Sequence, residues 1–151
     1  MIAKFEKLTA SEQELLLNAT VFVSLLAASS DHEVFEEEKA DAIKLAHLRT
    51  FTSDPVLHEY YVEVDKHFTR NFEAFDKKLP KGNDEREKIL REKLTQVNGL
   101  LLKLGPDYAE VFHRSLDSYA RHVAKSHRNA LEFFFIPLNI NGITDQRTMN
   151  N

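Results

Sequence analysis

The sequence predicts an all-α protein folded as an antiparallel helical bundle of five to seven helices. Four Gly and four Pro among 151 residues leave few positions for the turns that many short strands would need. Apolar residues recur every three or four positions along most of the chain. No Gly- or Pro-rich linker interrupts this pattern, so residues 1–151 are expected to form a single helical domain.

Composition and charge exclude several classes of protein. The chain has no cysteine, which excludes disulfide scaffolds, thiolate zinc sites and cysteine nucleophiles. Its formal net charge of −4 is too balanced to favour a nucleic-acid-binding protein. No glycine-rich phosphate loop or nucleophile motif occurs, so the sequence predicts neither a catalytic residue nor a nucleotide cofactor.

The first predicted helix covers residues 10–28. Thr9 and Glu12 have the spacing of a capping box, which places the start near Ala10. Residues 15–28 are apolar on nearly every side, as expected of a central, buried helix. This segment is shorter than the roughly 20 residues needed to cross a bilayer. Acidic residues precede it where a signal peptide would carry positive charge, so a cytoplasmic protein without a transmembrane segment is expected.

The later helices are placed by their start signals, stop signals and apolar stripes. Asp54 and Pro55 are typical of a helix start, and Gly105 followed by Pro106 is typical of a helix end. The run at 131–138 is apolar, but Pro137 limits it to a short helix. The predicted helices cover residues 10–28, 35–48, 54–79, 84–104, 107–126 and 130–136, followed by a polar tail at 139–151.

The most distinctive local feature is an acidic segment at residues 31–41. Six acids and one lysine give this segment a formal charge of −5. Clustered carboxylates can chelate a hard divalent cation, although Phe35 and Ala42 occupy two positions where an EF-hand has ligands. A solvated acidic surface at a helix start is the alternative interpretation. The acids are Asp31, Glu33, Glu36, Glu37, Glu38 and Asp41.

Residues 28–38, Ala-Ser-Ser-Asp-His-Glu-Val-Phe-Glu-Glu-Glu, resemble the A-x-x-D-G-E-V-S-x-E-E signature of the tellurite-resistance TerB-like family. The similarity continues through the apolar helix before the signature, and residues 138–145 weakly resemble the second copy of the signature in that family. His32 stands where the family usually has Gly, and Phe35 stands where it has a small capping residue.

The resemblance implies an all-helical, non-enzymatic protein linked to bacterial stress response or metal resistance. It also implies that the acidic surface binds a divalent cation, and we further expect a protein of this kind to bind a protein partner. Transferred to this sequence, the implied metal ligands are Asp31, Glu33 and Glu38. The sequence identifies neither the partner nor the ion, and it leaves a homo-oligomer open.

A histidine–carboxylate metalloenzyme is an alternative function. Glu110 and His113 have the Glu-x-x-His spacing of a metal-ligand pair in a helical bundle, and Glu63 and His67 share one helix face. A di-iron carboxylate site needs a second Glu-x-x-His, which this sequence does not contain. Ordinary surface histidines are therefore the competing interpretation.

A purely structural protein-interaction module is the third possibility. The segment Phe-Phe-Phe-Ile at residues 133–136 is long and apolar enough to dock a partner if it is exposed. Such a run also closes a hydrophobic core in many proteins, and both interpretations remain open at this point.

Overall fold

The fold is all-helical over residues 2–28 and 35–123, which are the residues that the computed structural model describes. This confirms the all-α class for the described part of the chain, in which no strand occurs. Short 3-10 turns at Ala3–Phe5, Pro55–Leu57 and Leu102–Leu104 accompany the α-helices. The α-helices are α1 (Ala10–Leu17), α2 (Ala19–Ala28), α3 (Phe35–Thr52), α4 (His58–Lys78), α5 (Asn83–Leu101) and α6 (Pro106–Val123).

Helix α1 begins with the capping box that the sequence predicts. The Thr9 hydroxyl accepts a hydrogen bond from the backbone N–H of Glu12, and the Glu12 carboxylate accepts one from the backbone N–H of Thr9. Two backbone donors at the helix start are thereby satisfied. The same carboxylate forms an ion pair of 2.7 Å with Lys103, which ties the start of α1 to the 3-10 turn after α5.

The predicted helix over residues 10–28 is divided at Asn18 into α1 and α2. The Asn18 side-chain amide donates to the carbonyl of Glu14, and its oxygen accepts from the Asn71 amide at 2.8 Å. Asparagine competes in this way with the regular backbone ladder. Near the break, the Tyr60 hydroxyl donates to the carbonyl of Leu16 at 2.9 Å. The break therefore stays buried without losing its hydrogen bonds.

Helix α2 lies at the centre of the fold. Every residue from 19 to 27 is buried, and α2 contacts α1, α3, α4, α5 and α6. Its two buried hydroxyl residues belong to one turn, in which Ser24 donates to the carbonyl of Thr20 at 2.7 Å. A helix that is apolar all round is stable in water only when other helices cover it.

The long helices pack on α2 through the stripes that the sequence shows. Their apolar residues step by three or four positions and are buried, which places each stripe on the inner face of its helix. The buried members are Leu57, Tyr61, Val64, Phe68, Phe72 and Leu79 before and along α4; Leu90, Leu94, Val97, Leu101 and Leu104 along and after α5; and Tyr108, Phe112, Leu116, Tyr119 and Val123 on α6.

Helix pairs differ in direction. Lys39 contacts Glu73 and His47 contacts Asp65, so α3 and α4 run in opposite directions. In contrast, the Tyr61 hydroxyl lies 2.6 Å from the Ser115 hydroxyl, and the Phe68 ring faces the Tyr119 ring. Helices α4 and α6 therefore run in the same direction. The antiparallel arrangement of the bundle as a whole stays a prediction.

Two helix ends differ from the sequence-based bounds. Helix α3 continues to Thr52, four residues beyond the predicted end at residue 48. Helix α5 tightens into a 3-10 turn before Gly105, which adopts a φ of 94°, and Pro106 begins α6. Gly tolerates this positive φ and Pro suits a first helical turn. The predicted short helix at 130–136 and polar tail at 139–151 lie outside the described residues.

Candidate functional site

One of the three predicted metal ligands, Glu38, can be placed in the structure. It lies in the first turn of α3 and is only 8% exposed, whereas the neighbouring Glu36 and Glu37 are exposed. Helical spacing accounts for the difference, because residues one or two positions apart point to different sides of a helix. Asp31 and Glu33 lie outside the described residues, so convergence of the three carboxylates stays a prediction.

The surroundings of the first turn of α3 are set by α4. Lys39 forms an ion pair of 3.2 Å with Glu73 and lies 5.9 Å from the centre of the Phe72 ring. This lysine is therefore held toward α4. The only cation within the acidic segment is engaged by a carboxylate outside that segment.

Three of the four residues of the alternative metalloenzyme site form ion pairs within their own helices. Glu110 forms an ion pair of 3.1 Å with Arg114, and Glu63 forms one of 3.1 Å with Lys66. His67 lies 3.8 Å from Glu63. Within residues 2–28 and 35–123, no three His, Asp or Glu side chains form a group that could hold a metal ion. The alternative metal site is therefore not assembled in the part of the chain that is described.

His113 has an unusual environment for a histidine. Burial on α6 lowers the pKa of His113, and the nearby Asp117 carboxylate opposes that shift. A lowered pKa means that the surroundings favour the neutral imidazole over the charged form. The same physical cause raises the pKa of Tyr60 and Tyr61, so these core phenols stay neutral at ordinary pH.

An exposed apolar surface lies at the corner between α3 and α4, and the sequence analysis did not identify it. Leu48 is 43% exposed, Phe51 is 76% exposed and Val56 is 52% exposed. We call these three residues the corner surface. Leu48 and Phe51 are neighbours on one face of α3, and Val56 lies in the 3-10 turn that follows. The His58 ring nitrogen lies 3.0 Å from the carbonyl of Thr50, which fixes that turn against the end of α3.

The spacing of apolar residues along α3 indicates the corner surface in the sequence. The inward face of α3 is given by Ala42 and Ala46, which are fully buried. Phe51 lies five positions after Ala46, outside the steps of three or four that continue the same face. The His47 and Phe51 rings pack edge to face with 5.6 Å between their centroids, which orients the phenylalanine but leaves most of it in solvent.

Comparisons with protein-family models, curated proteins and solved structures find no match for this chain. Among the described residues, no helix combines the length and the apolar character that crossing a membrane requires. A functional proposal therefore rests on the fold, the local geometry and the sequence pattern of the chain itself.

The lowered pKa of His113 predicts a pH dependence of stability. The neutral ring is favoured in the folded protein, so this contribution to stability is present above the unfolded-state pKa near 6.5 and is lost as the pH falls toward the lower folded-state pKa. We expect His113→Gln to lose less stability than wild type between about pH 7.5 and pH 5.5. Urea denaturation at both pH values measures the difference, with the exposed His122→Gln as control. An equal loss in wild type and His113→Gln would contradict this assignment.

Proposed function

We propose that this chain is a non-enzymatic, TerB-like helical protein of the cytoplasm that acts by binding a protein partner in a bacterial stress or metal-resistance system. The observation that carries the proposal is the corner surface. The similarity of residues 28–38 to the TerB-like signature supports the choice of family. An antiparallel arrangement of the helices is part of the same proposal.

The corner surface has the chemistry of a docking site. Phe51 keeps three quarters of its surface in water, and Leu48 on the same face of α3 and Val56 in the following 3-10 turn are also exposed. Burying a side chain of this size contributes about 1.5–3 kcal/mol, which folding of the chain leaves unused at Phe51. Apolar groups clustered on the surface of a soluble protein are typical of protein–protein contacts, in which aromatic residues are enriched.

The supporting geometry makes the corner surface rigid. The Arg49 guanidinium donates to the Ser118 hydroxyl at 3.0 Å and lies over the Tyr119 ring, so α6 holds the last turns of α3. The Asp54 side chain accepts from the backbone N–H of Val56 at 3.0 Å and fixes the following turn. A preordered surface loses less conformational entropy when a partner binds.

Site-specific photo-cross-linking tests this proposal. With p-benzoylphenylalanine at position 51, we expect a discrete adduct with one protein in extracts of the organism that makes this chain. The same group at the exposed position 74, on α4, serves as control and should not give that adduct. We expect Val56→Ser to weaken the adduct from position 51, while it changes the free energy of unfolding by less than about 0.5 kcal/mol. Identical adducts from positions 51 and 74 would contradict a docking role for the corner surface.

The second candidate function is binding of a divalent cation at Asp31, Glu33 and Glu38. The burial of Glu38 favours it, because this carboxylate turns inward while its neighbours face solvent. A hard cation with oxygen ligands, such as Ca²⁺ or Mg²⁺, fits this set of side chains. The proposal that Asp31 and Glu33 are ligands of this cation rests on the family resemblance.

Calorimetric titration with Ca²⁺, Mg²⁺, Mn²⁺ and Zn²⁺ tests the cation site. We expect one of these ions to bind wild type and the variant Asp31→Asn with Glu38→Gln to bind at least about tenfold more weakly, because two ligand charges are removed. The exposed pair Glu36→Gln with Glu37→Gln removes the same charge and serves as the matched control. Binding by none of the ions, or equal weakening in both double variants, would reject the site.

A further inference from the structure

Intramolecular packing of the described residues leaves open a groove that is bordered by α1, α2, α4 and α5. Its volume is about 590 Å³. The apolar part of its lining includes Phe22 and Phe75, whose rings meet edge to face at 5.0 Å. Glu12 and Glu14 lie on the α1 side, and Lys93, Gly99 and Lys103 lie along or just after α5. We call this region the α5 groove.

Gly99 is the first feature of the α5 groove that needs an explanation. It lies inside α5 and is exposed, and a Cβ atom added to it would meet nothing within 4 Å. No close contact within the described chain therefore requires glycine here. Glycine inside a helix costs about 0.5–1 kcal/mol relative to alanine. A surface that approaches the α5 backbone from outside the monomer would account for this residue.

The charges of the α5 groove are the second feature. Glu12 forms an ion pair of 2.7 Å with Lys103, and Glu14 follows Glu12 by two positions on α1, so these two acids and one cation give that end a formal charge of −1. Lys93 gives the other end +1 and precedes Lys103 by ten residues, which is about 15 Å along a helix. Within the described residues, neither Glu14 nor Lys93 has an ion-pair partner.

We propose that the α5 groove is a two-fold symmetric interface between two copies of this chain, in which Gly99 allows close approach and Glu14 of each copy faces Lys93 of the other. In a two-fold contact, each end of the surface meets the opposite end on the second copy. Because Glu14 and Lys93 have no ion-pair partner in the part of the chain that the structure describes, a surface with this acid at one end and this cation at the other is complementary to itself. The proposal goes beyond partner binding at the corner surface and does not depend on it.

Exposed apolar area beside the groove fits the same arrangement. Leu102 is 45% exposed and lies three positions after Gly99. A second copy that approaches the backbone at Gly99 would cover this leucine as well. One surface thus combines a glycine that permits close helix approach, an exposed leucine that a second copy would cover, and opposite charges at its two ends.

Sedimentation equilibrium of the full chain tests this proposal. We expect a dimer at about 100 μM protein. Gly99→Gln should raise the dimer dissociation constant at least about tenfold, since a long side chain blocks close approach. The same variant should raise monomer stability, because glutamine is the better helix former and its Cβ meets no neighbour. A Gly99→Gln variant that dimerises more weakly but unfolds at a higher free energy than wild type would therefore show that the dimer is lost without misfolding.

Charge reversal provides the second arm of the test. Lys93→Glu alone and Glu14→Lys alone should each weaken the dimer at least about tenfold, and the double variant should return to within about threefold of wild type. Lys44→Glu, an exposed charge reversal on α3, is the matched control and should leave the dimer unchanged. A monomeric wild type at about 100 μM, or a dimer that none of the groove variants weakens, would overturn the proposal.

Discussion

The complete burial of α2 is the constraint on which the rest of the structure depends. Residues 19–27 expose almost no surface, and five other helices contact α2. An apolar helix of this kind has no stable position at a protein surface, because its exposed area would cost about 25 cal/mol for each Å². The apolar stripes of α4, α5 and α6 therefore have a common partner, which explains why each helix turns its charged side outward.

Because the start of α2 is buried, the polar groups at the break between α1 and α2 need hydrogen-bond partners. Polar side chains from a distant part of the chain supply them. At the break between α1 and α2, the Tyr60 hydroxyl of α4 donates to the backbone carbonyl of Leu16, and the Asn71 amide of α4 donates to the side-chain oxygen of Asn18. An unsatisfied buried carbonyl costs about 1–3 kcal/mol, so these bonds fix the position of α4 relative to α2. The same helix then presents Phe68 and Phe72 to the core, next to α6 and α3.

Features that depend on the spacing of nearby residues were predictable from the sequence. Features that depend on contacts between residues far apart in the chain were not. The capping box at Thr9 and the stripes of α4, α5 and α6 were predictable, since each follows from residues within a few positions of one another. The break at Asn18 was not predictable from its neighbours, because Asn71 lies 53 positions away. Glu38 was named as a ligand, but its burial follows from the packing of α3 on the core. The corner surface was not predicted because the sequence pattern predicts that this helix ends at residue 48, before Phe51.

Hydrogen exchange of the α2 amides tests the central position of this helix most directly. If α2 is enclosed by the other helices, its amides should exchange only through global unfolding and should be the slowest in the protein. The amides in the last turn of α3, beside the exposed Phe51, should exchange much faster. Exchange of α2 as fast as that last turn, under conditions in which the protein is folded, would contradict the account.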